Sequence, residues 1–376
     1  MLSVFGNLPP AHPEPIFAIA EKAKQAGPDA LNGTIGILMK DDGTPLIFEC
    51  VRSATKDVFG VFDDTQRMYP PLLGLPAFRE HVTNLIFGED IPKCVSTAAA
   101  GGTGALGVNL RLAKLMGIET VILPTPSWAN HPRLIAGANL QLKESPDALL
   151  ESAQSEKKPH LLLLQTGCHN PTGRDFSGDF WRSLADVTAK TPHVILLDTA
   201  YQGLGLGLQE DVEPVQILKD AGIPLLIAWS ASKNHSLYSF RTGLACAVIP
   251  DGKQGELVER HYGLIGRTMY SVAPTMGQHI LVRVQEEYAD AWRRELEAAK
   301  MMLDRKRIEM KKNFPEAWHA LVDGNGMFTQ LPLSAKQVES LQEKSVFLTL
   351  DGRVNISGIP SGRIPEFCDK ILSCVG

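Results

Sequence analysis

The stretch Trp229-Ser-Ala-Ser-Lys233-Asn-His-Ser-Leu-Tyr-Ser-Phe-Arg241-Thr-Gly243 sets a lysine, Ser230, Ser232 and Arg241 just beyond the apolar run Ile223 to Ile227. A lysine at the end of a buried strand is out of place, because an ammonium group resists desolvation. Burial lowers its pKa and turns the amine into a nucleophile that forms Schiff bases with carbonyl compounds. Ser230, Ser232 and Arg241 around it suit a phosphate. A lysine imine beside a phosphate site points to pyridoxal phosphate, whose imine lysine and pyridinium-nitrogen partner are its recognisable protein groups.

Outward from that stretch, short apolar runs alternate with amphipathic segments. The runs are Val95 to Ala100, Thr120 to Leu123, His160 to Leu164, Val194 to Leu197, Leu225 to Trp229 and Leu244 to Ile249. Each is short, rich in Val, Ile, Leu and Ala, and bounded by Gly, Pro or polar clusters. That pattern predicts buried strands of a mostly parallel sheet with helices between them, an α/β fold. Long helices are expected over Pro274 to Glu287 and Trp292 to Asn313. Beyond these, Met327 to Leu331, Val346 to Leu350 and Val354 to Ile356 read as short strands, and Arg363 to Cys374 as a closing helix. We expect a large α/β domain over 45–295 and a smaller α+β domain built from 1–44 and 296–376.

The chain has 376 residues, 44% apolar and 21% charged, with a formal net charge of -5. It is long enough for two domains. The charge gives no sign of nucleic acid or an anionic membrane as partner, and no apolar run is long enough to span a bilayer. The N-terminal residues lack a basic region followed by an apolar core, so no secretory signal is expected. Six cysteines occur without a Cys-x-x-Cys pair, which argues against zinc or a redox dithiol. A reducing, cytoplasmic setting is the simplest expectation.

Chemistry in open α/β sheets sits outside the carboxyl ends of the strands, and several run ends here carry polar groups. Gly101-Gly102-Thr103-Gly104-Ala105-Leu106-Gly107 opens a helix, where glycines and free amides receive an anion. Gly102-x-Gly104-x-x-Gly107 also matches a dinucleotide fingerprint, which alone is weak evidence. Trp128, in Pro124-Thr-Pro-Ser-Trp128-Ala-Asn130-His131, suits either stacking on a flat ring or plain packing. Gln165-Thr-Gly-Cys168-His169-Asn170-Pro171-Thr172-Gly173 is a turn whose Asn170 can donate to an oxyanion. In Asp198-Thr-Ala-Tyr201-Gln202-Gly203 the carboxylate suits a pyridinium nitrogen, although capping the next helix is the commoner use of an aspartate. Tyr201 has a proton to donate to a ring oxygen. Arg353, in Asp351-Gly352-Arg353-Val354-Asn355, is either a bidentate carboxylate clamp or a surface cation.

Together and in this order, these stretches resemble the aspartate/aromatic amino acid aminotransferase family of fold-type I pyridoxal phosphate enzymes. The resemblance runs from Pro13-Glu14-Pro15-Ile16, through Asn32 to Gly36 and Met68-Tyr69, to Gly324-Asn-Gly-Met-Phe328 and Gly352-Arg-Val-Asn355. It implies that Lys233 carries the imine and moves the proton, and that Asp198 pairs with the ring nitrogen with His131 behind it. It places Tyr201 and Asn170 at the 3-oxygen and Trp128 against the ring. Gly102, Thr103, Ser230 and Arg241 then bind the phosphate, with Tyr69 reaching it from a partner subunit. Arg353 clamps the substrate α-carboxylate, with Gly36 nearby. Arg267, in Gly266-Arg267-Thr-Met-Tyr270-Ser271, crosses a homodimer to bind a side-chain carboxylate. The implied activity is ping-pong amino-group exchange between an L-amino acid, aspartate or aromatic, and 2-oxoglutarate.

The chain departs from the family pattern in places. Glu14 stands for the usual aspartate, Gln165 for a common histidine and Val272 for Asn or Ser, while Ile37, Leu38 and Met39 predict an apolar mouth. Two rivals compete with transamination. A lyase or decarboxylase on the same fold would leave a second carboxylate clamp without purpose. A nicotinamide-linked oxidoreductase would rest on the glycine pattern alone and leave Lys233, Asp198 and Tyr201 unexplained.

Overall fold

A computed structural model describes residues 15–61, 68–145 and 149–375. Glu14 lies outside them. After β1 (Leu31–Asn32), seven strands form the central sheet: β2 (Cys94–Ala100), β3 (Thr120–Pro124), β4 (Gln141–Ser145), β5 (Leu161–Gln165), β6 (Val194–Thr199), β7 (Leu225–Ser230) and β8 (Thr242–Val248). Their order is β2-β8-β7-β6-β5-β3-β4. All neighbours from β7 to β4 are parallel, whereas β8 runs antiparallel to both β7 and β2. The sheet is therefore mostly parallel, in an α/β fold.

The strands are buried because both faces of the sheet are covered. Leu162, Leu164, Ile195, Leu197, Leu225 and Ile227 enter one core, while Leu161, Leu163, Leu196, Leu226 and Ala228 enter the other. Alternation along a strand thus splits one apolar run between two cores. The second core is closed by the helices Gly101–Leu115 and Gly255–Met269. Buried Asn109 fastens them to the sheet: Nδ2 donates to the Ile227 carbonyl (2.9 Å), and Oδ1 accepts from the Tyr262 hydroxyl (2.7 Å).

β4 has no counterpart among the predicted runs. Its sequence, Gln-Leu-Lys-Glu-Ser, is an exposed edge strand, and a charged edge discourages pairing with other chains. Beyond the sheet, the helix Ala289–Asn313 leads to β9 (Phe328–Gln330), β10 (Val346–Phe347) and β11 (Arg353–Asn355). β9 pairs antiparallel with β11, and β10 pairs parallel with β1. Among the described residues no helix is long and apolar enough to cross a membrane.

Candidate active site

The loops that follow β3, β5, β6 and β7 meet the start of the helix Gly101–Leu115 at one crevice. A cavity of about 440 Å³ opens there. Its walls include Gly36, Gly102, Thr103, Trp128, Asn170, Asp198, Tyr201, Ser230, Lys233, Arg241 and Arg353. A larger hollow of about 640 Å³, between Leu112, Leu226 and Leu257, has no lysine, arginine or hydroxyl side chain in its lining.

Lys233 sits three residues past the end of β7, where the chain turns before β8 begins at Thr242. Backbone bonds hold that turn, from Ala231 N to the Thr242 carbonyl, from His235 N and Leu237 N to the Ala231 carbonyl, and from Ser236 N to the Lys233 carbonyl. The Trp292 indole donates to the Asn234 carbonyl beside it (2.7 Å). Lys233 Nζ lies 4.7 Å from the centre of the Tyr201 ring. Burial pushes the ammonium down to about 8; Asp198 opposes the shift, and Arg241 and Arg353 add to it.

Asp198 lies one residue before the end of β6, in register with Gln165 on β5 and Ala228 on β7. Its Oδ2 meets His131 Nε2 at 2.9 Å, and His131 Nδ1 meets Ser127 Oγ at 2.8 Å. His131 is buried, and Trp128 packs edge-on against it at 5.3 Å. Burial raises the Tyr201 pKa, aided by the Asp198 charge and opposed by the hydrogen bond from Asn170 and by Arg353. Tyr201 therefore keeps its proton at neutral pH. Asn170 Nδ2 donates to the Tyr201 hydroxyl oxygen (3.3 Å), and Asn170 Oδ1 accepts from Arg353 Nη1 (3.4 Å).

Arg353 begins β11 and is buried. Nη2 donates to the Thr34 carbonyl (2.8 Å), the guanidinium lies 4.7 Å from the Phe328 ring centre, and Nε has no partner. No carboxylate among the described residues forms an ion pair with it. A buried cation with an orphaned donor, aimed at an open cavity, is suited to an incoming carboxylate.

The opposite wall suits a phosphate. The helix Gly101–Leu115 has Ala100 at its N-cap and no side chain capping its first amides. A Cβ on Gly101, whose φ is +72°, would stand 2.5 Å from Arg241 Nη2, and one on Gly102 would stand 3.0 Å from Ser230 Cβ. Glycine alone keeps this cradle open. Ser230 Oγ donates to Ser232 Oγ (3.0 Å) beside it. Gly104 instead packs on Ala99 and Ala100, and Gly107 on Met269. The second and third glycines of that spacing are thus accounted for by close packing, and Gly102 by the cradle.

Three predicted residues do not line this cavity: His131, which stands behind Asp198 as expected, Tyr69 and Arg267. Tyr69 is 88% exposed. Arg267 is exposed on the helix Gly255–Met269, where Nη1 donates to Ser271 Oγ (3.0 Å). The apolar mouth also differs from expectation. Ile37 lines it, but Leu38 is buried in the core, with its amide held by the Tyr238 hydroxyl (2.9 Å), and Met39 does not line the cavity. Ser232, expected beside a phosphate, lines the cavity, and Ile16, Phe17, Leu106, Tyr238 and Phe328 join it without a role assigned from sequence. Tyr238 lies five residues from Lys233; the others arrive from distant segments.

An α/β scaffold whose strand ends gather a depressed lysine, a histidine-backed aspartate and a phosphate-sized glycine cradle defines a cofactor-dependent group-transfer site. Residues 29–371 match the family profile of Aminotransferase class I and II, and the chain belongs to that family. It is 30% identical to the aspartate aminotransferase, cytoplasmic isozyme 2, of Arabidopsis thaliana, over 100% of this chain and 99% of that one. It is 29% identical to the aromatic-amino-acid aminotransferase of Paracoccus denitrificans, over 98% of this chain and 99% of the other. Among solved structures, the aromatic-amino-acid aminotransferase of Burkholderia pseudomallei, covalently bound to pyridoxal phosphate, superposes with a TM-score of 0.93 at 26% identity, covering 100% of both chains.

Proposed function

We propose that this chain transfers the α-amino group of aspartate or an aromatic L-amino acid to 2-oxoglutarate by a ping-pong reaction, with pyridoxal phosphate at Lys233. One observation carries the reading: a single cavity joins a depressed lysine amine, the Asp198 carboxylate and a buried arginine without a counter-charge. Pyridoxal phosphate supplies a ring that takes up the electron pair left when the substrate α-proton departs. Gly102, Thr103, Ser230 and Arg241 would hold its phosphate. Asp198, steadied by His131, would keep the ring nitrogen protonated, and Trp128 would flank the ring. Tyr201 and Asn170 would donate to the ring oxygen.

Arg353 would take the substrate α-carboxylate with Nε and its remaining Nη donors, fixing which Cα bond faces Lys233. Lys233 Nζ, whose pKa burial brings down to about 8, would accept that proton and return it to the cofactor carbon on the far side of the nitrogen. Ile16, Phe17 and Ile37 at the mouth suit an aromatic side chain. Arg267 would serve acidic ones from a partner subunit.

The homodimer is part of the proposal. A Cβ on Gly263 would meet Leu72 Cδ2 at 2.8 Å, so the segment bearing Tyr69 packs on the helix that carries Arg267 one turn later. Met68, Leu72 and Leu264 are exposed beside them. A cytoplasmic setting is likewise proposed, as is the division into 45–295 against 1–44 with 296–376; the β1–β10 pairing supports that division.

The test is the visible spectrum of the purified protein. A band that bleaches on adding aspartate or tyrosine and returns with 2-oxoglutarate is the expected result. Lys233→Ala should abolish turnover. Near-normal turnover by that variant would sink the reading.

A further inference from the structure

Gln165 ends β5 and is 6% exposed, yet it carries an amide side chain into the wall of the cavity. Its Nε2 donates to the Asn170 carbonyl (3.0 Å), and its Oε1 accepts from the Asn170 amide (3.0 Å). One side chain thereby satisfies both backbone groups of one residue, as a neighbouring strand would. No other hydrogen bond reaches the Asn170 backbone among the described residues. The rest of the turn is fastened separately, by the Asp175 carboxylate accepting from the amides of Cys168 (3.0 Å) and His169 (2.8 Å).

Among the described residues, the Asn170 side chain is hydrogen-bonded to both Tyr201 and Arg353, and the Phe328 ring packs against the same two. Those two contacts, at 3.3 and 3.4 Å, are longer than the two that hold its backbone. Short bonds behind and long bonds in front mean that the backbone anchor sets where the Asn170 amide stands. We propose that Gln165 is a positioning residue which holds Asn170 so that one amide serves the cofactor side, through Tyr201, and the substrate side, through Arg353. This rests on the aminotransferase reading above.

The chemistry favours glutamine here. Only a primary amide offers a donor and an acceptor side by side at the end of a side chain while carrying no charge. A carboxylate would accept but not donate, and would add a like charge next to Asp198, its partner across the β5–β6 ladder. An imidazole has its two nitrogens on different edges of the ring and can meet one Asn170 group at a time. The resemblance noted above puts a histidine at this position in related chains, so the two-bond anchor is a feature of this one.

Gln165→Met keeps the length and packing of the side chain and removes both bonds; Gln165→His keeps one polar partner. Three readouts apply to the cofactor-loaded proteins: melting temperature, the split between KM and kcat, and the pH midpoint of the visible band. With the anchor gone, Arg353 loses its fixed neighbour, so KM for the amino donor should rise about tenfold while kcat changes by less than about threefold. The ring oxygen loses an aligned donor, which destabilises its anionic form, so the band midpoint should move up by about half a pH unit or more. Gln165→His should fall between Met and wild type on both readouts.

A Gln165→Met protein with wild-type KM and band midpoint overturns the role, and so does one whose melting temperature alone falls. If the methionine variant does not fold, the histidine variant decides on the same criteria. A wild-type protein with neither a visible band nor turnover overturns the aminotransferase reading and this role with it.

Discussion

Lys233 shows how a fold prepares an amine by withholding water rather than by supplying a base. Asp198 favours the ammonium form, yet desolvation is the larger effect, and the pKa comes down to about 8. A depressed lysine is protonated below that value and free above it. In cofactor-free protein, the rate at which added pyridoxal phosphate produces the visible band should therefore climb with pH and reach half its maximum near 8. An exposed lysine would put that midpoint near ~10.4, and a curve centred there would show that Lys233 is not desolvated. The stability sign follows from the same shift. Between about 8 and 10.5 the unfolded chain holds more protons at this residue than the native one, so Lys233 makes the cofactor-free protein more stable as pH rises through that window. Arg353 poses the complementary case of a buried cation with no carboxylate ion-paired to it among the described residues. Arg353→Lys retains the charge but loses the planar fork, and KM for the amino donor should rise about 10- to 100-fold. A rise of less than twofold would assign the α-carboxylate to another group.

At the scale of elements, the helix Ala289–Asn313 links the sheet to the segment that carries Phe328. Arg307 is buried on it and makes five hydrogen bonds, to the carbonyls of Val322, Asn325, Gly326 (twice) and Phe328. Burial lowers its pKa to about 10, so it remains a cation. Arg307→Ala would orphan several buried carbonyls together and should cost about 3 kcal/mol or more of stability, read by urea titration. Because Phe328 lies under Arg353, the same variant should also raise KM. A stable variant with unchanged KM would mean that the segment holds its shape without Arg307. The helix itself was readable from its charge pattern and length, but the target of Arg307 was not, since a carbonyl cluster leaves no mark on composition. The same divide runs through the fold. β5, β6 and β7 were legible as all-apolar runs with chemistry at their ends, which is why Lys233, Asp198, Tyr201 and Asn170 could be picked from sequence and lie in one cavity. β4 was not, because an exposed edge strand needs polar residues and looks like a loop. Leu38 is expected at the mouth but is buried in the core while its neighbour Ile37 stays at the cavity, a split that a run of apolar residues does not reveal. Phe328 was legible only as part of a motif, because its place under Arg353 depends on β9 and β11 pairing across the intervening segment.

At the scale of the whole molecule, the cavity of one chain lacks Tyr69 and Arg267, which its sequence nominates for contact with cofactor and substrate. Tyr69 and Arg267 stand outside it, on one face with exposed Met68, Leu72 and Leu264. A twofold dimer through that face would deliver each pair to the other subunit's cavity, and such an interface is self-complementary. Mixing two defective proteins tests this. Lys233→Ala lacks the amine in every site, and Arg267→Ala lacks the side-chain clamp in every site. If Arg267 crosses, a mixed dimer contains one site with Lys233 from one subunit and Arg267 from the other, both intact, and one site with neither. Random reassociation of equal amounts should then restore about a quarter of wild-type turnover of aspartate, since half of the dimers are mixed and each has one whole site. If Arg267 serves its own subunit, every site in the mixture lacks one group and no recovery occurs. The tyrosine half-reaction adds the control: Arg267→Ala alone should still let tyrosine bleach the visible band, because an aromatic side chain brings no second carboxylate for Arg267 to bind, whereas the return with 2-oxoglutarate, itself a dicarboxylate, should be impaired.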